Sequence, residues 1–163
     1  GDQLRDIMRQ LCQRFQRADN NGTWPIVEKC VNEQCIRSVP EFGERQRQCL
    51  RNFCNHGSVF CDYSNGCKSC SNVPKTCACA PSGGPITICI PQSISKDKWI
   101  PTCGCKNNYP YVTCDSPSCM GREGFRVIIH ELMHVCNTAN ETNADIKACC
   151  ILDGLFMPAM AGV

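Results

Sequence analysis

The sequence predicts an α+β chain that is mainly helical and rich in disulfides, with one short strand or small sheet and a terminal helix pair that carries the chemistry. Three observations lead there. Eighteen of the 163 residues are cysteine, an even number and far above the usage of a reduced cytosolic protein. Apolar residues recur at three- and four-residue steps near both ends of the chain, and strict alternation appears once, around residues 85–91. The length suits one core, so residues 1–163 are expected to form a single domain. Its three parts are a helical segment (1–56), a cysteine-rich stretch of loops and strand (57–123), and a helix pair (124–157).

Residues 3–17 place Leu4, Ile7, Met8, Leu11, Cys12 and Phe15 at helical spacing, with Arg and Gln between them. Asn20-Asn21-Gly22 ends that helix. Pro25 suits a first helical turn, and Ile26, Val27, Cys30, Val31 and Ile36 continue a second helix towards Pro40. A third is expected from Glu41 to Cys54. Cys30 with Cys35 and Cys49 with Cys54 are both C-x4-C pairs, which points to two adjacent helices cross-linked at both ends, although spacing alone fixes no connectivity.

From Gly57 to Gly84 the periodicity disappears, and Cys61, Cys67, Cys70, Cys77 and Cys79 stand among Ser, Asn, Pro and Gly. This reads as loop held by bridges. Cys67-x2-Cys70 with Cys77-x-Cys79 also fits a tetrathiolate zinc site, but an oxidising compartment favours disulfides. In Pro85-Ile86-Thr87-Ile88-Cys89-Ile90-Pro91 the isoleucines share one face of a strand, and the flanking prolines point to a sheet edge. Residues 92–123 return to loop, with Cys103, Cys105, Cys114, Cys119 and the aromatic segment Asn108-Tyr109-Pro110-Tyr111.

Composition excludes some partners. The net charge of +2 is spread without clustering, so no nucleic-acid footprint is present. No apolar run approaches the roughly 18 residues of a membrane span. The first residues are charged and unlike a signal segment, as in a mature or trimmed product, and the cysteines point to a secreted, extracellular or periplasmic chain. The oligomeric state is left open.

The segment Phe125-Arg126-Val127-Ile128-Ile129-His130-Glu131-Leu132-Met133-His134-Val135-Cys136 contains H-E-x-x-H and two of the three histidines of the chain. On a helix, Phe125, Ile128, Ile129, Leu132, Met133 and Cys136 share a broad arc, and His130, Glu131 and His134 lie on the other. Four-residue spacing lets two imidazoles reach one ion, and Glu131 is placed to take a proton from water. The third ligand is sought downstream. Asn137-Thr138-Ala139-Asn140 is turn-like, and Glu141, Asp145, Ile146, Ala148, Ile151, Leu152 and Leu155 continue as a helix before Pro158. Glu141 and Asp145 share a face, so one carboxylate can bind metal while the other accepts a ring N–H from a ligand histidine. Cys136 falls on the packing arc, where a bridge to Cys149 or Cys150 is expected in preference to metal ligation. Asn21-Gly22-Thr23 and Asn140-Glu141-Thr142 match the glycosylation pattern. The second is read as accidental, since a glycan there would crowd Glu141.

His130-Glu131-Leu132-Met133-His134 followed by Glu141-Thr142-Asn143-Ala144-Asp145 resembles the zincin metallopeptidases of the gluzincin group, over roughly residues 125–155. The resemblance implies a small zincin-like domain, one catalytic Zn2+, and a peptide or protein substrate. It implies His130, His134 and Glu141 as ligands, Glu131 as general base and acid, and Asp145 behind a histidine. Only six residues separate His134 from Glu141, far fewer than in the best-known gluzincins, so Asp145 stays as the alternative third ligand. The metzincin extension is absent, because Asn137 and Asn140 stand in its places. By the same resemblance Ile86–Ile90 would pair with substrate at a sheet edge, and His56, Tyr109 and Tyr111 are the candidate oxyanion donors. The expected function is a secreted zinc-dependent endopeptidase; the alternative is a cysteine-rich binding or toxin module with a structural metal.

Overall fold

The structure, a computed structural model, describes residues 2–34, 42–64, 67–70, 78–89 and 123–156. Five helices and three strands lie among them: α1 (Asp2–Ala18), α2 (Thr23–Gln34), α3 (Glu44–His56), β1 (Val59–Asp62), β2 (Ala78–Cys79), β3 (Ile86–Cys89), α4 (Glu123–Val135) and α5 (Glu141–Phe156). The mainly helical α+β expectation holds at this level. None of these helices is long and apolar enough to cross a membrane.

The first helix forms as its spacing predicts. Ile7, Leu11 and Phe15 are buried while Arg5 and Arg9 face solvent. Gly22, at φ +75°, turns the chain, and Asn21 Oδ1 accepts the Thr23 N–H at 3.1 Å to open α2. Trp24 then stacks on Phe15 and meets Phe42, with ring centroids 6.0 and 5.6 Å away, and its indole N–H donates to Asp19 at 2.8 Å. Phe42 is buried against Trp24, and the third helix starts later than expected, at Glu44 after the N-cap Gly43. The expected end of the second helix near Pro40 lies outside the described residues.

The cysteine-rich stretch holds more order than its composition announces. β1 and β2 lie where only loop was expected, and the sheet order is β1-β3-β2. β3 pairs in parallel with β1 (Val59 opposite Ile86) and antiparallel with β2 (Ala78 opposite Ile88). The expected edge strand is therefore the central one. Pro85 precedes the strand instead of interrupting it, so the Ile86 N–H is free to donate to the Ser58 carbonyl at 3.1 Å. Ile86 and Ile88 are fully buried, and Ile90 lies outside the described residues.

Five disulfides join the described residues, and two expected pairings are overturned. Cys30 bonds Cys150 and Cys49 bonds Cys136, so α2 is tied to α5 and α3 to the end of α4. Cys54 bonds Cys12, joining α3 to α1. The α2–α3 cross-link thus gives way because α2 packs on α5 and α3 packs on α1. The bridge from Cys136 across to α5 fails because the turn after α4 directs Cys136 at α3. Cys67–Cys89 and Cys70–Cys79 hold the sheet end, which bears out the disulfide reading of that stretch. Cys35 and Cys77 lie outside the described residues.

One hydrophobic cluster draws on all five helices and the sheet, with α4 and α5 most closely packed. At the α2–α5 contact, a Cβ on Gly154 would sit 2.7 Å from Val27 Cγ2 and 3.2 Å from Thr23 Cγ2. Val27 is fully buried and stiff at χ1, so it has no room to yield. Gly154→Ala should therefore destabilise the protein by about 1–3 kcal/mol in chemical denaturation, despite the higher helix propensity of Ala. An unchanged or raised midpoint would refute this close contact.

Candidate metal centre

Helix α4 is buried nearly all round. Val127, Ile128, Ile129, Leu132 and Met133 are fully buried, but so are Arg126 and, at 1 and 4 % exposure, His130 and Glu131. The arc expected to hold metal is thus itself largely buried, as a polar row inside the fold. Arg126, His130 and His134 stand at four-residue steps along it. Buried polar groups need partners, and α5 brings them.

The connection between the two helices explains how so few residues suffice. Asn137 adopts φ +74°, its N–H donates to the His134 carbonyl at 3.1 Å, and the Thr138 N–H donates to the Met133 carbonyl at 2.8 Å. This is a Schellman ending with asparagine in the left-handed position. Asn140 then caps α5, its Oδ1 accepting the Asn143 N–H at 2.9 Å. Gly83, in a loop that precedes β3, donates its N–H to the Val135 carbonyl at 2.9 Å and satisfies another orphan of the helix end.

This turn folds Thr138 back, so that its carbonyl lies 2.7 Å from His134 Nδ1. Asp145 Oδ1 lies 3.0 Å from His130 Nδ1. Both partners are acceptors, so each Nδ1 carries the proton and each neutral imidazole presents the lone pair of Nε2. Those two Nε2 atoms face one another at 3.1 Å. Glu141 Oε2 lies 2.8 Å from Nε2 of His130 and 3.2 Å from Nε2 of His134. With both imidazoles neutral at Nε2, three acceptors converge on one point; in the metal-free chain the rings instead donate N–H groups to Glu141. Ligands about 2.0–2.1 Å from a tetrahedral zinc ion lie roughly 3.3 Å apart, close to these separations. His130, His134 and Glu141 thus form a group able to hold a metal ion.

Asp145 is placed differently from the ligand alternative. It is fully buried on α5, paired with Arg126 and with His130 Nδ1, on the far side of the imidazole from the convergence point. The Arg126–Asp145 pair was not read from the sequence; its one signal is the arginine four residues before His130. Thr138 was missed because its contribution is a main-chain carbonyl, which no side-chain pattern reveals. Cys136 is withheld in its bridge to Cys49. His56 closes α3 as an exposed residue outside the three-residue cluster, and Tyr109 and Tyr111 lie outside the described residues.

The electrostatics agree with a site that demands positive charge. Burial opposes the His130 imidazolium, yet hydrogen bonds to Asp145 and Glu141 outweigh it and raise the pKa from 6.5 to about 9. His134 is raised too, against its burial, chiefly by Glu141. Hydrogen bonds from both imidazoles hold the Glu141 carboxyl well below the usual range, against partial burial. Burial pushes Glu131 up from 4.5 to about 7, and its Oε2 has no hydrogen-bond partner among the described residues. No protein-family model, curated protein or solved structure matches the chain.

Raised pKa values mean that the folded, metal-free chain holds these protons more tightly than the unfolded chain. The contribution of Glu131 is full below 4.5 and lost as pH rises through about 7; that of His130 is full below 6.5 and lost through about 9. The melting temperature of chelator-treated protein should therefore fall as pH rises through these two values. A flat or rising profile would contradict it.

Proposed function

We propose that this chain is a secreted zinc-dependent endopeptidase of the zincin type, resembling gluzincins. The observation that carries the reading is the convergence of two Nε2 lone pairs and the Glu141 carboxylate, with the buried Glu131 carboxylate as the next residue to His130. His130, His134 and Glu141 are the ligands. Bound there, zinc supplies Lewis acidity, polarising a peptide carbonyl and acidifying water. Asp145 and Thr138 would fix the two ring tautomers from behind, and Arg126 pairs with Asp145.

Glu131 moves the proton. Its buried carboxylate accepts a proton from the attacking water and returns it to the leaving amine nitrogen. A purely structural metal site would close its coordination with a fourth protein ligand. Two claimants among the described residues are otherwise engaged, Cys136 in a disulfide and Asp145 with Arg126 and His130 Nδ1, which favours the peptidase reading over a binding or toxin module. The five disulfides among the described residues support secretion.

Glu131→Gln should keep one zinc per chain and lose about 10²–10⁴-fold in kcat on an unstructured polypeptide; undiminished turnover would exclude the acid–base role. Glu141→Ala and Asp145→Ala separate ligand from support. Elemental analysis after dialysis should find zinc lost from Glu141→Ala, and retained with affinity reduced about 10–100-fold in Asp145→Ala. The reverse order would make Asp145 the ligand.

A further inference from the structure

A second cluster of ligand atoms stands at the end of the sheet. Cys67 precedes the 3-10 turn Lys68–Cys70 and Cys70 closes it, Cys79 ends β2 and Cys89 ends β3. They are joined as Cys67–Cys89 and Cys70–Cys79, and the two bridges touch: Cys70 Sγ lies 3.4 Å from Cys89 Sγ, to which it is not bonded. The sulfurs of Cys67, Cys70 and Cys89 lie within 4.8 Å of one another, and all three residues are buried. Four thiolates about 2.3 Å from a tetrahedral zinc ion stand roughly 3.8 Å apart, and the non-bonded Cys70–Cys89 separation of 3.4 Å is close to that value, while the bonded pairs would have to open to reach it.

The turn that presents these sulfurs is held by more than its bridges. Asp62 accepts the N–H groups of Ser64 at 2.8 Å and Ser69 at 3.0 Å, and Ser64 Oγ accepts the Lys68 N–H at 3.1 Å. The Cys70 N–H donates to the Cys67 carbonyl at 2.9 Å. β2 and β3 are paired through their own ladder. None of these contacts runs through a disulfide sulfur.

We propose that, when these two bridges are reduced, Cys67, Cys70, Cys79 and Cys89 form a tetrathiolate site for one zinc ion. Each disulfide gains two electrons and two protons to give two thiols; with a trialkylphosphine as reductant, water supplies the oxygen of the phosphine oxide formed. Zinc then displaces four protons from four thiols. The site differs from the four-cysteine set that spacing alone selects, since Cys89 from the strand takes the place of Cys77. It is independent of the histidine centre.

Cobalt(II) is the probe, because thiolate ligands give an intense near-ultraviolet charge-transfer band and a histidine–carboxylate site does not. Full-length protein treated anaerobically with trialkylphosphine should take up one cobalt more per chain than oxidised protein, with that band. Zinc should bleach it and should shield Cys67, Cys70, Cys79 and Cys89 from alkylation in a peptide map. Cys67→Ser and Cys89→Ser should each lose the band, and His130→Ala should keep it. The proposal is overturned if no band appears, if both serine variants retain it, or if zinc shields other cysteines instead. The peptide map of the natural chain decides the matter if a serine variant fails to fold.

Discussion

The rest of the structure depends on the requirement that a row of polar side chains buried on α4 be satisfied from α5. Arg126 and His130 are removed from water, and His130 cannot be left with an unanswered ring nitrogen. Asp145 answers both from one carboxylate, itself fully buried. That one residue fixes the register of the helix pair. Shifting α5 by a turn would strand an arginine and a histidine in the core and remove Glu141 from the Nε2 atoms.

The register in turn demands a short and rigid connection. A left-handed asparagine and a capping asparagine deliver it, and the same turn supplies the Thr138 carbonyl to the second histidine. Tautomer control of the two histidines thus comes from two sources, a side chain across the helix pair and a main-chain group within the turn. Both leave Nε2 as the outward lone pair. The positive charge that this arrangement favours is supplied by protons in the metal-free chain, as the raised histidine pKa values record.

The helices, the H-E-x-x-H row and the downstream carboxylates were legible because they rest on local periodicity. α1, α4 and α5 lie close to where their spacing places them. β1 and β2 were illegible for the opposite reason. Strands of four and two residues show too few alternations, and they exist because β3 pairs with both. Disulfide partners were equally hidden, since Cys30 meets Cys150 only after α2 has packed on α5. At the site, the residue types were readable but their division of labour was not. Glu141 and Asp145 share a helix face, and only the side of the imidazole that each approaches separates a ligand position from a supporting one.

The placement of the long-range bridges follows from the same constraint. A buried ion pair beside a histidine row contributes little net stability, because desolvation offsets its attraction, yet losing either partner is costly. Such a pair needs a frame that does not breathe. The bridges Cys30–Cys150 and Cys49–Cys136 close sequence separations of 120 and 87 residues and anchor α5 and the end of α4 to different helices. Each constrains the unfolded chain strongly, and neither occupies the space between α4 and α5. A staple directly across the hairpin would have fixed the two helices to each other and left the pair free to move as a unit against the sheet. Tying each helix outward instead locks the polar row to the whole core, and with it the close spacing of His130, His134 and Glu141.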